Sequence, residues 1–491
     1  MDEKHIPVVV SVGQVTERNE IVSAVELAAR ASEAALESCP KLRSRIERAT
    51  MVSVVFSPVS ARPASELTAR LGLTGAAAET SYPGGNLPQW LVNRAAEEIR
   101  DGALDTTLIA GGEATRSMRA ADPGAPIMGL RPGATREEPD PIVGPSIRGM
   151  VGPAELAIRL WQPTDLYALF EAANAAAQGR TFDEQRAFLG PLMSDFSKVA
   201  SQHPHAWFQE ALSADEIAKV TDDNRLIAEP YPKRMNAFPN VDQGAAAIVT
   251  SLATARELGL EDRCMFVWAG ATMKESVPAA RPELFDAPAM RRSSAAVLEA
   301  AGIGADDLRW LDLYSCFPIA VQVGAAGLGI ALDDPRGLTV TGGLPFFGGP
   351  GNNYSLHAIA TLLDRLREGA GLGYVGANGG MLSKHSMGVY GSTPPASGFV
   401  LADTTAAQEQ VENDALPVAL DAEGTATVVG ATVLYARDGS VSSAPAIADL
   451  DDGRRVVAQA DDAIKDSLAG RQLAGTRIRV SGSPPQYVVE A

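Results

Sequence analysis

The chain has 491 residues, of which 46% are hydrophobic and 21% are charged. Such a length is enough for two or three domains with full cores, and such a composition excludes a largely disordered protein. The formal net charge of -18 argues against non-specific binding to nucleic acid or to anionic membranes, so an anionic ligand would need a local basic patch or backbone donors.

The cysteine pattern and the chain ends predict a cytoplasmic protein without membrane insertion. Cys39, Cys264 and Cys316 are widely separated, odd in number and without metal-ligand spacing, which fits a reducing compartment. No segment has the length and apolarity of a transmembrane helix, and the start MDEKHIPVVV lacks the regions of a signal peptide. The C-terminal residues YVVEA carry no peroxisomal address.

The first part of the chain, residues 7–114, alternates strand-like and helix-like segments. PVVVSVGQV is followed by a helix from about Glu20 to Leu36, and ATMVSVVFS by the short helix SELTARLGL. A third helix, from Leu87 to Arg100, leads into the strand DTTLIAGGEA. Strands that alternate with helices predict a mainly parallel sheet that is covered on both faces.

The middle of the chain has a different pattern. Residues from Asp122 to Pro153 are rich in proline and glycine and predict long loops, and helical stretches such as PTDLYALFEAANAAAQG follow. The region ends in DDNRLIAEPYPKRMNAFPNVDQGAAAIVTS. His203 and His205 lie here without further ligands at suitable spacing, so we interpret them as packed or solvent-facing and predict no metal site.

The second half repeats the alternation and ends in two glycine-rich loops. We expect a helix over 245–257, the strand CMFVWAGAT, a helix over 290–301 and the strand LRWLDLYSCF. One amphipathic helix separates the glycine-rich loops GGLPFFGGPGNN and GANGGML. The residues of its apolar stripe are Leu356, Ile359, Leu363 and Leu366. The free N–H groups at its start would suit an anion or an oxyanion.

The C-terminal segment alternates with the period of a strand. After Asp403 a polar linker, TTAAQEQVENDALP, precedes TATVVGATVLYA and IADLDDGRRVVAQA. Asp438-Gly439 and Asp452-Gly453 are predicted hairpin turns, and together these segments predict a small antiparallel barrel of the OB type. The segment has more acidic than basic residues and few aromatic ones, so we predict no nucleic-acid binding.

Three motifs resemble the thiolase superfamily in its sterol-carrier-protein-type branch. GGLPFFGGPGNN resembles the Gly-His-Pro loop, and GANGGML followed by SKH resembles the last catalytic loop. The pattern DNR…PYPKRMN…VDQ…AA is specific to that branch. The resemblance covers roughly residues 6–402, and with its C-terminal extension the chain is similar to the actinobacterial thiolase-like protein type 1 group.

The resemblance implies an α/β fold with a duplicated, layered αβαβα core, a loop-domain insertion and the small antiparallel β-barrel. In the family the loop domain covers the active site and binds coenzyme A, and a homodimer is suggested. The expected domains are the N-terminal thiolase half (1–114 and 236–245), the loop domain (115–235), the C-terminal thiolase half (246–403) and the barrel (416–491).

Matched to the family, the principal catalytic positions carry no catalytic side chain. A thiolase needs one cysteine to hold the acyl group, a second to move a proton, and a histidine to activate the first thiol. Here the nucleophile position at the start of the helix is Gly85, the histidine position is Gly349 and the second cysteine position is Gly376. The resemblance therefore implies an acyltransferase fold without ordinary acetyl-CoA acetyltransferase activity.

Other polar residues would line the remaining pocket. The catalytic candidates are His385, Tyr314 and Asn353. His385 comes first because an imidazole titrates near neutral pH, although it could equally cap a turn after Lys384. Further pocket residues are Ser315, Cys316, Asn352, Asn378 and His357. We interpret His357 as structural and Cys316, which lies in an apolar run, as an inert core thiol.

The ligand that the resemblance implies is CoA or acyl-CoA, without a tightly bound cofactor. The residues that match the family segment beside the nucleotide pocket are Lys233, Arg234, Asn236 and Phe238. Three functions stay open: an acyl-CoA-binding protein of lipid or sterol metabolism without thiolysis, a retro-aldolase for β-hydroxyacyl-CoA, and a non-catalytic scaffold.

Overall fold

The computed structural model describes residues 2–37, 39–124 and 138–490. Part of the predicted long loop, residues 125–137, lies outside the described residues. The helices, numbered in chain order, are α1 (Ala24–Glu37), α2 (Pro63–Arg70), α3 (Leu87–Arg100), α4 (Thr115–Ala121), α5 (Pro153–Ala157), α6 (Pro163–Ala177), α7 (Phe182–Gln202), α8 (Ala214–Ala218), α9 (Leu252–Glu257), α10 (Pro288–Ala301), α11 (Pro318–Leu328), α12 (Tyr354–Glu368) and α13 (Thr405–Asn413).

The strands form two groups, one in the core with its insertion and one in the C-terminal segment. Those of the first group are β1 (Pro7–Thr16), β2 (Arg48–Met51), β3 (Ala77–Ser81), β4 (Thr106–Ala114), β5 (Ile142–Val143), β6 (Leu226–Ala228), β7 (Tyr231–Pro232), β8 (Asp242–Ser251), β9 (Met265–Lys274), β10 (Leu308–Leu313), β11 (Leu372–Gly379), β12 (Lys384–Gly391) and β13 (Val400–Leu401). Those of the second are β14 (Val418–Ala419), β15 (Gly424–Ala431), β16 (Leu434–Tyr435), β17 (Val441–Ser443), β18 (Pro445–Leu450), β19 (Arg455–Ala460), β20 (Arg477–Ser481) and β21 (Gln486–Val489).

One large sheet runs through both halves of the core in the order β10-β11-β12-β9-β1-β8-β4-β2-β3-β5, with β13 also paired to β9. The halves meet where Val8 and Val9 of β1 pair with Phe266 and Met265 of β9. The outer pairs β2–β4, β2–β3 and β10–β11 are parallel, as expected, but β1–β8, β4–β8, β9–β12 and β11–β12 are antiparallel. The sheet is therefore mixed, because the chain leaves β4 into the insertion and returns beside it.

Helices α3 and α12 lie between the two halves of the sheet and contact strands of both. Leu91 and Ile99 of α3 share one buried cluster with Leu356 and Ile359 of α12 and with residues of β1, β8, β9 and β11. Helix α1 packs on the first half and α10 on the second, each on the face away from this cluster. These layers of helix, sheet, helix, sheet and helix confirm the predicted core architecture and the predicted apolar stripe of α12.

The helix expected over 245–257 is wrong in its first part. Asp242–Ser251 is strand β8, paired on one side with β1 and on the other with β4, and only Leu252–Glu257 is helical. The alanine-rich letters suit a helix by propensity, but a segment buried on both faces between two strands gains more from ladder hydrogen bonds and packing. The division of the chain at residue 245 stays a prediction.

The insertion between β4 and β8 is fastened to the second half of the core by a buried carboxylate. Glu171 of α6 accepts hydrogen bonds from the Tyr231 hydroxyl at 2.6 Å, from Nε2 of Gln185 at 2.7 Å and from Nε2 of Gln322 in α11 at 2.8 Å. Because every partner is a neutral donor in the interior, removal of the carboxylate would leave several buried groups unpaired.

Five C-terminal strands form a closed barrel. They pair in the order β15-β18-β19-β21-β20, and β20 pairs with β15 to close the ring. All these pairs are antiparallel except β19–β21, which is parallel. The prediction of a wholly antiparallel barrel is therefore wrong at this one pair. Gly439 and Gly453 have φ of 84°, which confirms both predicted turns.

The barrel is joined to the rest of the chain by more than its linker. The polar segment after Asp403 is helix α13 rather than an extended linker, because Val411 packs against Met273 and Ala289. β16 pairs with β6 of the insertion. Arg455 of β19 donates to the carbonyl oxygens of Arg281 and Pro282 at 2.6 and 2.8 Å. No helix in the described ranges is long and apolar enough to cross a membrane.

Candidate functional site

The starts of α3 and α12 converge in the central layer. The N–H of Gly84 donates to Oδ1 of Asn352 at 2.9 Å, and the hydroxyl of Ser355 donates to the Gly85 carbonyl at 2.8 Å. α3 begins here because Gly84 adopts a φ of 153° and Pro88 lies in the first turn, where its missing N–H costs nothing. Two predicted loops, widely separated in sequence, thus meet at one place.

A tyrosine occupies the space in front of Gly85. A Cβ on Gly85 would lie 2.1 Å from the hydroxyl oxygen of Tyr314 and 2.6 Å from the carbonyl oxygen of Asn378. The N–H of Tyr314 donates to the Gly376 carbonyl at 3.0 Å. Gly376, the predicted position of the second cysteine, therefore holds the backbone of Tyr314. Burial keeps the pKa of the Tyr314 phenol well above its ordinary value, so its hydroxyl is protonated at neutral pH.

Gly376 and Gly349, the predicted positions of the second cysteine and of the histidine, differ in the space that they leave for a side chain. A Cβ on Gly376 would lie 2.9 Å from a ring carbon of Tyr374, which excludes a cysteine there without movement of that ring. A Cβ on Gly349 would meet nothing nearer than the Phe238 carbonyl oxygen at 3.4 Å. The backbone of Gly349 is nevertheless fixed, because its N–H donates to that same carbonyl at 2.9 Å.

The loop between β11 and β12 is held from two sides. The Tyr167 hydroxyl accepts from the N–H of Leu382 at 2.8 Å and from Nδ2 of Asn378 at 2.8 Å. Arg281, which is 1% exposed, donates from Nη2 to the Met381 carbonyl at 2.8 Å. Leu382 has a φ of 53°, a conformation that a non-glycine residue keeps only where its surroundings enforce it.

His385 lies on the opposite face of β12 from the Gly84–Gly85 turn. It is 0% exposed, and its Nε2 lies 3.7 Å from Oε1 of Glu275. Neither ring nitrogen has a hydrogen-bond partner in the described chain. Burial, and after it the nearby Arg281, lowers the pKa of His385 to about 3. This geometry favours a neutral, packed imidazole over an acid or base that titrates near neutral pH.

The remaining pocket candidates are mostly engaged in packing. Nδ2 of Asn353 donates to the Gly111 carbonyl at 2.9 Å, while its Oδ1 is buried without a partner in the described chain. His357 is 0% exposed, with Nδ1 at 2.8 Å from Oε1 of Gln14. Burial raises the pKa of the Cys316 thiol to about 12, which supports the interpretation of an inert thiol. The hydroxyl of Ser315 accepts from the Leu344 N–H at 3.3 Å.

The four predicted CoA-binding residues do not share one surface. Lys233 is exposed, whereas Arg234 is half-buried, donates to the Glu216 carbonyl at 2.7 Å and lines a surface cavity of about 750 Å³. Arg186 and Lys219 line the same cavity, together with three acidic residues, Asp183, Asp215 and Glu216. Asn236 is buried and donates to the Pro232 carbonyl, and Phe238 packs edge-on against Phe208 at 4.8 Å.

Sequence reasoning missed three residues of this region. Tyr167 and Arg281 fix the last loop, and Lys384 is buried beside the Gly84–Gly85 turn. Tyr167 stands in an apolar helix, where a tyrosine looks like any core residue, and nothing in the letters around Arg281 signals its burial. For Lys384 a signal existed, because it lies within the SKH motif itself.

The central layer and the converging loops define a thiolase-like protein. Over 100% of both chains it is similar to a monomeric SCP2-thiolase like protein type 1 (STLP1) from Mycobacterium smegmatis, with 32% identity and a TM-score of 0.86. The chain therefore belongs to the SCP2-thiolase like protein type 1 family.

Two more distant structures share the fold at 17% identity and a TM-score of 0.59, each over 79% of this chain. They are the acetyl-CoA acetyltransferase from Syntrophomonas wolfei, matched over 100% of its chain, and the Ltp2-ChsH2(DUF35) aldolase, matched over 98%. No protein-family model and no curated protein matches the chain.

Proposed function

We propose that the chain binds CoA or an acyl-CoA of lipid or sterol metabolism and does not perform thiolysis or Claisen condensation by the cysteine route. The observation that carries this proposal is the Tyr314 hydroxyl, which stands 2.1 Å from where a side chain at Gly85 would begin. A thiolase holds its acyl group on that side chain. A protonated phenol at the same place can donate a hydrogen bond but is a poor nucleophile, because the thiolate or alkoxide form does the attacking.

The loss of the nucleophile is accompanied by the loss of its base. Gly349 has room for a side chain but has none, so no imidazole faces the Gly85 turn from that loop. Residues that act as a catalytic unit are strongly non-additive, and loss of one already removes most of the rate. Binding and oxyanion stabilisation leave a residual acceleration on the order of a thousandfold over water.

CoA is the proposed ligand because the resemblance to the family implies it, and two basic side chains stand in the segment that matches the family's nucleotide pocket. Arg234 lines the cavity of about 750 Å³, and Lys233 stands exposed beside it. We place the nucleotide end of the ligand at Lys233 and Arg234 on this face of the insertion, whereas Asn236 and Phe238 point elsewhere and are ligand contacts only by the resemblance. A homodimer and a cytoplasmic location stay predictions, to be measured by light scattering and by fractionation of cells.

A second candidate function is retro-aldol cleavage of a β-hydroxyacyl-CoA. The observation that favours it is the barrel, whose strand order of first, second, third, fifth and fourth fits an OB barrel and which packs on the insertion through β16 and β6. The fold is also similar to that of the Ltp2-ChsH2(DUF35) aldolase. Here such a barrel is part of the same chain.

Calorimetric titration with CoA and acetyl-CoA tests binding, and thiolysis of acetoacetyl-CoA tests the missing activity. We expect binding without thiolysis. Iodoacetamide treatment identifies turnover by a contaminating cysteine enzyme. Cleavage of a β-hydroxyacyl-CoA would establish the second candidate. Absence of binding to every CoA compound would refute the proposal and leave a non-catalytic scaffold as the remaining function. Robust thiolysis that is abolished by mutating a cysteine of this chain would also refute it.

A further inference from the structure

Lys384 is a buried amine without an acidic partner. The residue begins β12 and is 5% exposed, and its Nζ donates a hydrogen bond to the Pro83 carbonyl at 2.6 Å. No ion pair joins this amine to a carboxylate in the described ranges, and burial lowers its pKa. In a protein with a formal net charge of -18, an uncompensated interior lysine requires an explanation.

The amine lies beside the turn that begins α3. A Cβ on Gly84 would lie 2.7 Å from Nζ of Lys384 and 2.6 Å from Oδ1 of Asn86. A Cβ on Gly379 would lie 2.6 Å from that same Oδ1 and 3.0 Å from the nitrogen of Gly85. Because Gly84 and Gly379 have no side chain, the space beside Nζ of Lys384 and Oδ1 of Asn86 stays free of side-chain carbon. Asn86 is 0% exposed, and its Oδ1 has no hydrogen-bond partner in the described chain.

A purely structural role explains this arrangement poorly. The start of a helix carries a partial positive charge, so an ammonium group there is disfavoured. The aligned peptide dipoles of α3, a helix of 14 residues, produce this charge. A lysine that only supported the turn would be better placed against a carboxylate. The surroundings instead increase the fraction of neutral amine, the form that keeps a lone pair for reaction.

We propose that Lys384 is a nucleophilic amine that condenses with the carbonyl group of a ketone or a β-dicarbonyl compound. The nitrogen lone pair bonds to the carbonyl carbon, the π electrons move to the oxygen, and a proton passes from nitrogen to oxygen to give a carbinolamine. Loss of that oxygen as water leaves an imine. The sum is amine plus carbonyl to imine plus water, and it needs neither an oxidant nor a metal. Oδ1 of Asn86 would accept the hydrogen bond of the carbinolamine hydroxyl.

The protonation state suits this chemistry. Burial lowers the pKa of Lys384 from 10.5 to about 8, which makes its neutral fraction at neutral pH about 300-fold larger. The groups that face it from the turn and from its own strand are uncharged: the Pro83 carbonyl and Asn86 from the turn, Gly379 from β11, and Ser386 on the same face of β12. A charged neighbour across the ladder is Lys274 of β9, whose side chain is 62% exposed and pairs with Glu412. His385, the neighbour along β12, faces the other way, toward Glu275.

The test uses the full chain and acetylacetone, a small β-diketone that forms a stable conjugated enaminone with a neutral lysine. Intact mass should rise by the mass of the probe less one water, and peptide mapping should place the adduct on Lys384. The yield should rise with pH and reach half its maximum near pH 8, the pKa given by burial. Because the probe contains no CoA, failure here is distinguishable from failure of the proposed CoA binding.

Matched variants control for lysine reactivity in general. Lys274 pairs with Lys384 across β9 and β12 but its side chain is 62% exposed, so Lys274→Met should keep the Lys384 adduct in full. Lys384→Met and Lys384→Arg should each lose it, and the second variant keeps the positive charge. Circular dichroism checks that both fold. Modification of Lys274 at a rate equal to or above that of Lys384, or an unmodified Lys384 peptide in the native chain, would overturn the proposal.

Discussion

Replacing Gly85 by alanine tests whether Tyr314 occupies the space at the predicted nucleophile position. The new methyl group would lie 2.1 Å from the Tyr314 hydroxyl oxygen and 2.6 Å from the Asn378 carbonyl oxygen, where ordinary van der Waals contacts begin at 3.4 Å. Overpacking of this kind costs about 1–3 kcal/mol of unfolding free energy. We expect the upper end, about 3 kcal/mol, because the second contact is with backbone that cannot rotate away.

The second half of this test removes the obstacle. In a Tyr314→Ala background, the cost of Gly85→Ala should fall by about 1–2 kcal/mol, since neighbouring residues couple by amounts of this size. Unfolding free energies from urea titration, followed by tryptophan fluorescence, provide the four corners of the cycle. Equal costs of Gly85→Ala in both backgrounds would show that Tyr314 does not occupy this space.

Gly324→Ala is the matched control for the loss of a buried glycine. Gly324 lies inside α11, and a Cβ there would meet its nearest neighbour at 3.6 Å, an ordinary contact. Alanine in a helix interior is favoured over glycine by up to about 1 kcal/mol. The control should therefore be neutral or stabilising in either background.

Three further outcomes are expected. Alanine at Lys233 or Arg234 should weaken CoA binding several-fold, by less at high salt, and unchanged calorimetric affinity would rule out the proposed placement. The pKa of His203 is lowered by burial from 6.5 to about 4, so the neutral form is favoured in the folded state; its contribution to stability is full above pH 6.5 and should be lost as the pH falls toward 4. A pH titration of the unfolding free energy that changes less over this window in His203→Gln checks the sign. Limited proteolysis should cut first at the two ends of α13, near 403 and near 414–416, and preferential cleavage within 425–490 would contradict a separately folded barrel.

The spacing of apolar residues and the turn residues predicted the local structure correctly where the sequence favours a single conformation. The apolar stripe of α12 is buried as expected, because residues at helical spacing share a face in any α-helix. The Asp438-Gly439 and Asp452-Gly453 turns formed because glycine alone adopts the required positive φ without strain. Residues 245–251 could not be assigned in this way, since alanine is compatible with a helix and with a doubly paired strand, and the neighbours β1 and β4 decide between them.

The sequence by itself predicts that the catalytic cysteines and histidine are absent, because the family's positions match Gly85, Gly349 and Gly376 in the letters. Only the tertiary structure decided which side chain lies against Gly85. Tyr314 is far from Gly85 in the chain, and its hydroxyl reaches that glycine because β10 and β11 lie side by side in the sheet. Likewise, the burial of Lys384 depends on a turn that is distant in sequence, so its environment is a property of packing and not of its neighbours in the chain.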